Sequence, residues 1–491
     1  MTPARTSRAW QRVVVLWLGL VFLGWSIGCG GGGRSLSDDA KISIVRSAAP
    51  TATDTIDAEP STPFVLSVRD ETGGAVAGTA VVFVGENAQV ARPGSAFGPT
   101  VTLLTDSRGD VAVAVRFGTA TGQGTVVGTV PTLQVADTLT LAVGSGAPVG
   151  VSLFPSDTVV VMGETFQVTA TAADRHGNAV GRPLSVTAES GPIATVGSGF
   201  VGRSFGVGIL AASSGGAVGS TTTRVVPDGE IVYTHRDEAW LTRFDGSERE
   251  RLDFAVPTAR EPSVSWDHEG ARIVVGGHDG FRTFDLWAEA PSFTVRRGPT
   301  VDSGVIWPRF GPGSGSTIYY SSNAVGNDWT LRSATSDGSS RSVLIPAERF
   351  ANDDHMPDWA PDGSAFVFTA DWEEAGRFLL RVADATATSV WTIKVEGVTP
   401  VWSPDGEWIA YQEMGVVGVV SSDGALNRSW NVGWAKGITW SPAGDMLVGI
   451  SNGRREISLL DVVTGQSMEL PYLGSGISAV AWRPDQDGEV R

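Results

Sequence analysis

The sequence predicts an all-β chain: two β-sandwiches followed by a six-bladed β-propeller, preceded by a removable export signal. Three observations predict it. From Phe64 onward, short β-branched runs alternate with Gly, Asp and Asn turns. A turn motif at Asp70 returns at Asp174. An apolar-aromatic step then recurs six times between Trp266 and Trp482. Glycine supplies 62 of the 491 residues, well above the usual ~7%, as a chain built of tight turns requires.

Composition excludes several functions. A single cysteine cannot build a disulfide framework or a Cys-based zinc site. A net charge of −17 argues against nucleic acid, whose phosphates require a basic face. Hydrophobic residues make up 42%, enough for packed cores. Nothing in the composition or spacing calls for a cofactor.

Residues 1–12 carry Arg5, Arg8 and Arg12 and no acid, and an apolar run from Val13 to Gly28 follows. As a helix that run reaches about 24 Å, short of a bilayer core of about 30 Å. A basic start and a short apolar core describe an export signal. The run ends Ser26-Ile27-Gly28-Cys29, with the only cysteine last. This resembles the lipobox of bacterial lipoproteins, although that family usually has Leu where Ser26 stands. The resemblance implies cleavage after residue 28 and diacylglycerol on Cys29. Gly30 rather than Asp after the cysteine implies the outer membrane. Residues 29–60, opening on four glycines, read as a flexible lipidated tether whose end overlaps the first strand of the next domain. Cleavage removes three arginines, so the mature chain is more acidic still. The lipid, rather than surface charge, would hold it at the membrane.

The first sandwich is expected over 41–146 and the second over 147–226, with Gly144-Ser145-Gly146-Ala147-Pro148 between them. Asp70-Glu71-Thr72-Gly73-Gly74-Ala75-Val76 recurs as Asp174-Arg175-His176-Gly177-Asn178-Ala179-Val180. The offset suits a sandwich of about 100 residues. Both copies resemble bacterial Ig-like domains: Thr105-Asp106-Ser107-Arg108-Gly109 is similar to an invasin/intimin-type segment. Gly163-Glu164-Thr165 and Ala194-Thr195-Val196 are similar to the group 2 signature. The resemblance implies spacers or adhesive stalks. A G-x-S-x-G match at 202–206 lies in a β-rich stretch, without the strand-turn-helix context a nucleophile elbow needs.

In residues 227–491 the recurring aromatics are Trp266, Phe310, Trp359, Trp402, Trp440 and Trp482, spaced 38 to 49 residues apart. That period, with several short strands per unit, is the signature of propeller blades. The last unit stops after its turn, and 228–246 offers the missing strands, so the two ends are expected to share a blade. The turns, clearest in Trp402-Ser403-Pro404-Asp405-Gly406, resemble the TolB-type propeller repeat, a relative of WD repeats. The resemblance implies the fold and not the TolB partner role.

Candidate ligand-binding residues on the propeller face are Asp354, His355, Trp372, Glu373, His278, Asp279, Trp329 and Arg454. They sit beside strand ends expected to open on one face. No catalytic constellation and no metal-ligand spacing appears, so the chain is not expected to be an enzyme. The expected function is a lipid-anchored envelope protein, with its propeller on Ig-like spacers binding a protein or glycan. Two alternatives stand beside it. One is a polysaccharide hydrolase or lyase using channel carboxylates such as Asp354 and Glu373. The other is a structural envelope component, which a large apolar patch would favour.

Overall fold

The structure is a computed structural model. It describes residues 42–484 apart from 182, 237, 256–262, 278–279, 286–295, 298–305, 314, 323–328, 337, 339, 346–353 and 372–376. Among the described residues almost every element is a strand, and the helical exception is a single 3-10 turn, Pro471–Leu473. None of their helices is long and apolar enough to cross a membrane. The chain divides into two compact units, ending and beginning at Ser145 and Gly146.

The first unit is a two-sheet sandwich. One sheet runs Ser43–Ala48, Phe64–Arg69, Asp110–Phe117, Ala88–Ala91. The other runs Thr53–Thr55, Val135–Gly144, Gly122–Val130, Ala80–Glu86, Thr100–Leu104. Alternation decides which side chains go inside: along Asp110–Phe117, Val111, Val113, Val115 and Phe117 are buried while the residues between them are half-buried. Phe64 and Phe83 meet across the core edge to face, centroids 6.0 Å apart.

The motif that recurs at Asp70 and Asp174 is one physical device. Each aspartate Oδ1 accepts the amides two and four residues ahead: Thr72 and Gly74, then His176 and Asn178. Gly73 and Gly177 supply the left-handed backbone, at φ 81° and 84°.

The second unit opens with a smaller sandwich around Leu153, Val160, Phe200, Leu210 and Val225. From Glu230 to Trp482 the described residues form four four-stranded sheets and one of seven strands. In the seven-stranded sheet, the long strand Asn427–Trp440 ends one repeat and begins the next without a break. The first sheet joins Glu230–His235 to Ile477–Trp482 antiparallel, Ile231 opposite Trp482. The repeats' innermost strands are Ser263–Trp266, Ile306–Phe310, Asp354–Trp359, Val398–Trp402, the second half of Asn427–Trp440, and Ile477–Trp482. Each touches the next, and the last touches the first. These are contacts around a closed circuit.

The repeated turn and aromatic have separate jobs. In the turn, Ser403 Oγ donates to Asp405 Oδ1 and accepts the Trp408 amide; Ser441 does the same with Asp445 and Met446. The aromatic wedges between neighbouring sheets. Trp440 Nε1 donates to the Val401 carbonyl and Trp266 Nε1 to the Ala481 carbonyl, each in the preceding repeat.

The residue before the aromatic ties repeats together across the inner strands. Trp402 N donates to Asp358 Oδ2 at 2.7 Å, and Trp482 N to Thr439 Oγ1 at 2.9 Å. Arg309 Nη1 donates to the Val264 carbonyl at 3.2 Å, and its Nε lies 3.6 Å from Asp358 Oδ1. Val264, Arg309, Asp358 and Trp402 thereby link four successive repeats.

The small sandwich and the repeat sheets are not separated by a joint. Val161, Phe205 and Val226 of the sandwich belong to one contiguous core with Ile231, Tyr233, Phe244, Leu470, Leu473 and Trp482. Phe205 lies inside the G-x-S-x-G match. Gly202 closes one strand and Gly206 opens another, so that match is β-structure with an anchoring aromatic.

Candidate functional site

In each antiparallel repeat the first strand begins, the second ends and the third begins at one edge. Asp354 pairs with Ala370, Asp371 with Phe378, and Ile306 with Ser321. The Ser-Pro-Asp-Gly turns lie at the opposite edge. Side chains from different repeats therefore meet around the ring's loop edge.

The inner strands carry a recurrent β-bulge there. Register shifts fall between Ile306 and Arg309, His355 and Asp358, Val398 and Val401, and Lys436 and Thr439. Within each shift one residue turns left-handed: Trp307 at φ 49°, Met356 at 59°, Thr399 at 53° and Gly437 at 73°. Glycine takes this conformation freely, whereas for a bulky or β-branched residue it is strained. Thr399→Gly is expected to stabilise the protein by about 1 kcal/mol. It relieves that strain and removes a buried hydroxyl with no partner among the described residues. It keeps the amide that donates to Met356 Sδ at 3.0 Å. A thermal or urea melt of the variant checks this.

At Trp307 the strained position holds a large ring, and the strain aims it at the next repeat. Trp307 lies 5.7 Å from His355, edge on. Trp329, where the third strand of its repeat begins, lies 5.2 Å from His355; Phe378, at the start of the third strand in the following repeat, lies 5.8 Å away. The three aromatic rings are half-buried and surround an imidazole that is only 8% exposed. Burial pushes the His355 pKa down to about 4, so the ring is neutral at physiological pH. Thr369 Oγ1 donates to the His355 carbonyl and fixes the strand beneath it. An uncharged aromatic surface results. Arg377 and Leu379, the chain neighbours of Phe378, line a separate groove of about 560 Å³ with Lys394, Glu396, Tyr411 and Glu413.

Of the residues singled out from sequence, His355 and Trp329 come together. His355 opens the inner strand and is buried, instead of standing on an open loop. Arg454 is exposed, on the hairpin between Met446–Ser451 and Ile457–Asp461, two repeats farther along the chain. Cys29, His278, Asp279, Trp372 and Glu373, with the side chain of Asp354, lie outside the described residues. Trp307 and Phe378 were missed. The signal for Trp307 was a second aromatic three residues ahead of Phe310, where three of the other repeats have Met356, Thr399 and Gly437. Among the described residues no group of three His, Cys, Asp or Glu could hold a metal ion.

No protein-family model and no curated protein matches this chain. Among solved structures, the chain is similar to TolB from Acinetobacter baumannii, at 16% identity and a TM-score of 0.45, covering 61% of this chain and 82% of that one. It is similar to a chain of the nidogen/laminin complex at 10% identity and a TM-score of 0.42, covering 52% and 98%. The third is a putative TolB from Agrobacterium tumefaciens, at 14% identity and a TM-score of 0.41, covering 52% and 99%.

Proposed function

We propose that this chain is a lipid-anchored binding protein of the bacterial cell envelope. In this reading, diacylglycerol on Cys29 holds it at the outer membrane, residues 29–60 are a tether, and two Ig-like sandwiches carry a six-bladed propeller that meets a protein or glycan. The closed circuit of inner strands and the pairing of Glu230–His235 with Ile477–Trp482 support the six blades. The observation that carries the binding function is the aromatic cluster of Trp307, Trp329 and Phe378 around a neutral His355. A strained tryptophan at a strand end is poor fold economy and good ligand contact.

Two measurements test the reading. Expressed with its signal, the wild type is expected to incorporate labelled fatty acid and sediment with membranes, while Cys29→Ala does neither. A Cys29→Ala protein that still sediments would sink the anchoring. Immobilised full-length mature protein should recover a ligand from envelope extracts that the Trp329→Ala variant fails to recover. Equal recovery by both would move the binding surface elsewhere.

A further inference from the structure

Resting on that reading, we infer that the aromatic mouth takes an uncharged carbohydrate chain, with pyranose faces against Trp307, Trp329 and Phe378. Three observations distinguish this ligand from a protein or a polyanion. First, among the described residues the one titratable side chain in the cluster, His355, is buried among rings. Second, the groove lined by the chain neighbours of Phe378 mixes charges that cancel. Arg377 pairs with Glu396, and Lys394 shares the groove with Glu413. Tyr411 and Asn427, hydrogen-bonded to one another, add neutral polar groups. Such a wall has donors and acceptors for hydroxyls without a net field, and the chain's overall charge of −17 repels acidic polymers.

Third, the described residues around the mouth present no apolar patch of the kind a protein partner needs. Among the described residues from 230 to 484, the exposed large hydrophobic side chains are Val343, Trp391, Met414, Leu426 and Val463. They come from five separate strands or turns in four repeats. Scattered single residues of this kind do not form an interface core. Half-buried rings instead leave part of their aromatic surface to solvent, which suits the apolar C–H face of a sugar. Pre-organisation helps here, because rings already packed on His355 lose little freedom on binding.

The test uses the full-length mature protein and three uncharged hexasaccharides: cellohexaose, chitohexaose and maltohexaose. Isothermal titration should detect binding of at least one. Its affinity should be nearly independent of salt, and should fall by about tenfold or more in Trp329→Ala and in Phe378→Ala. Trp329→Phe should restore most of it, which separates ring loss from misfolding. Trp391→Ala, at an exposed outer-strand ring away from the mouth, should bind as wild type. The inference is overturned if none of the three binds, if polygalacturonate binds in their place, or if sugar affinity ignores the Trp329 and Phe378 variants. The wider reading fails separately. If no sugar binds but an extract protein is captured in a Trp329-dependent way, the mouth stands as a binding surface and its ligand is a protein. If nothing depends on Trp329, both are lost.

Discussion

Arg309→Met should destabilise the protein by about 3–5 kcal/mol, the usual cost of removing one partner from a buried ion pair. Arg309 and Asp358 are 15% and 16% exposed, and their groups are 3.6 Å apart between adjacent repeats. Methionine keeps most of the volume, so the loss comes from an uncompensated carboxylate and from the missing bond to the Val264 carbonyl. The double variant Arg309→Met/Asp358→Leu should recover much of it, since neither charge is then left buried alone. Burial pushes the Asp358 carboxyl up to about 6, against the opposite pull of Arg309 and the Trp402 amide. A carboxyl whose folded pKa lies above its unfolded value of 3.8 penalises the folded state only when ionised. Removing Arg309 deepens that penalty. The deficit should therefore grow as the pH rises through about 6, where the wild-type carboxyl ionises, and stay flat below it, where the carboxyl is protonated with or without Arg309. Urea melts across that range measure it. A deficit below about 1 kcal/mol at neutral pH would mean the pair behaves like a screened surface bridge.

Phe205→Ala should be comparably damaging, at about 3–5 kcal/mol, and its signature is cooperativity. Phe205 comes from the small sandwich, is 7% exposed, and shares a core with Tyr233, Phe244, Leu470 and Leu473 of the repeat sheets. Calorimetry should show sandwich and ring unfolding together in the wild type and shifting together in the variant. A sandwich that melts alone, leaving the ring's transition in place, would show that the shared core does not couple them. For the same reason a fragment cut at residue 227 would expose part of a core, and binding experiments belong on the longer chain.

Legibility in the sequence followed physical range. The Ser-Pro-Asp-Gly turns and their aromatics could be read because turn chemistry is local: Ser403, Asp405 and Trp408 bond within five residues of one another. The pairing of the two ends was readable from a count of missing strands. The bulge was not, because only Gly437 announces a left-handed backbone, while Trp307, Met356 and Thr399 look like ordinary strand residues. His355 was visible as a residue but not as a centre. Its neighbours come from positions 307, 329 and 378, which only the ring brings together. Val161, Phe205 and Val226 have the alternation of any sandwich core, and nothing in that pattern says which face meets another domain.

The pairing of Glu230–His235 with Ile477–Trp482 also sets the order of events during synthesis. Arg483 bonds to Glu230, 253 positions earlier. Chains emerge N-terminus first, so the strand holding Ile231, Val232 and Tyr233 is made early and acquires its neighbour last. Until then it is an apolar edge able to pair with the wrong chain. The final strand thus serves as a completeness check. A ring interrupted in translation cannot shut, and its first strand is left with an open edge.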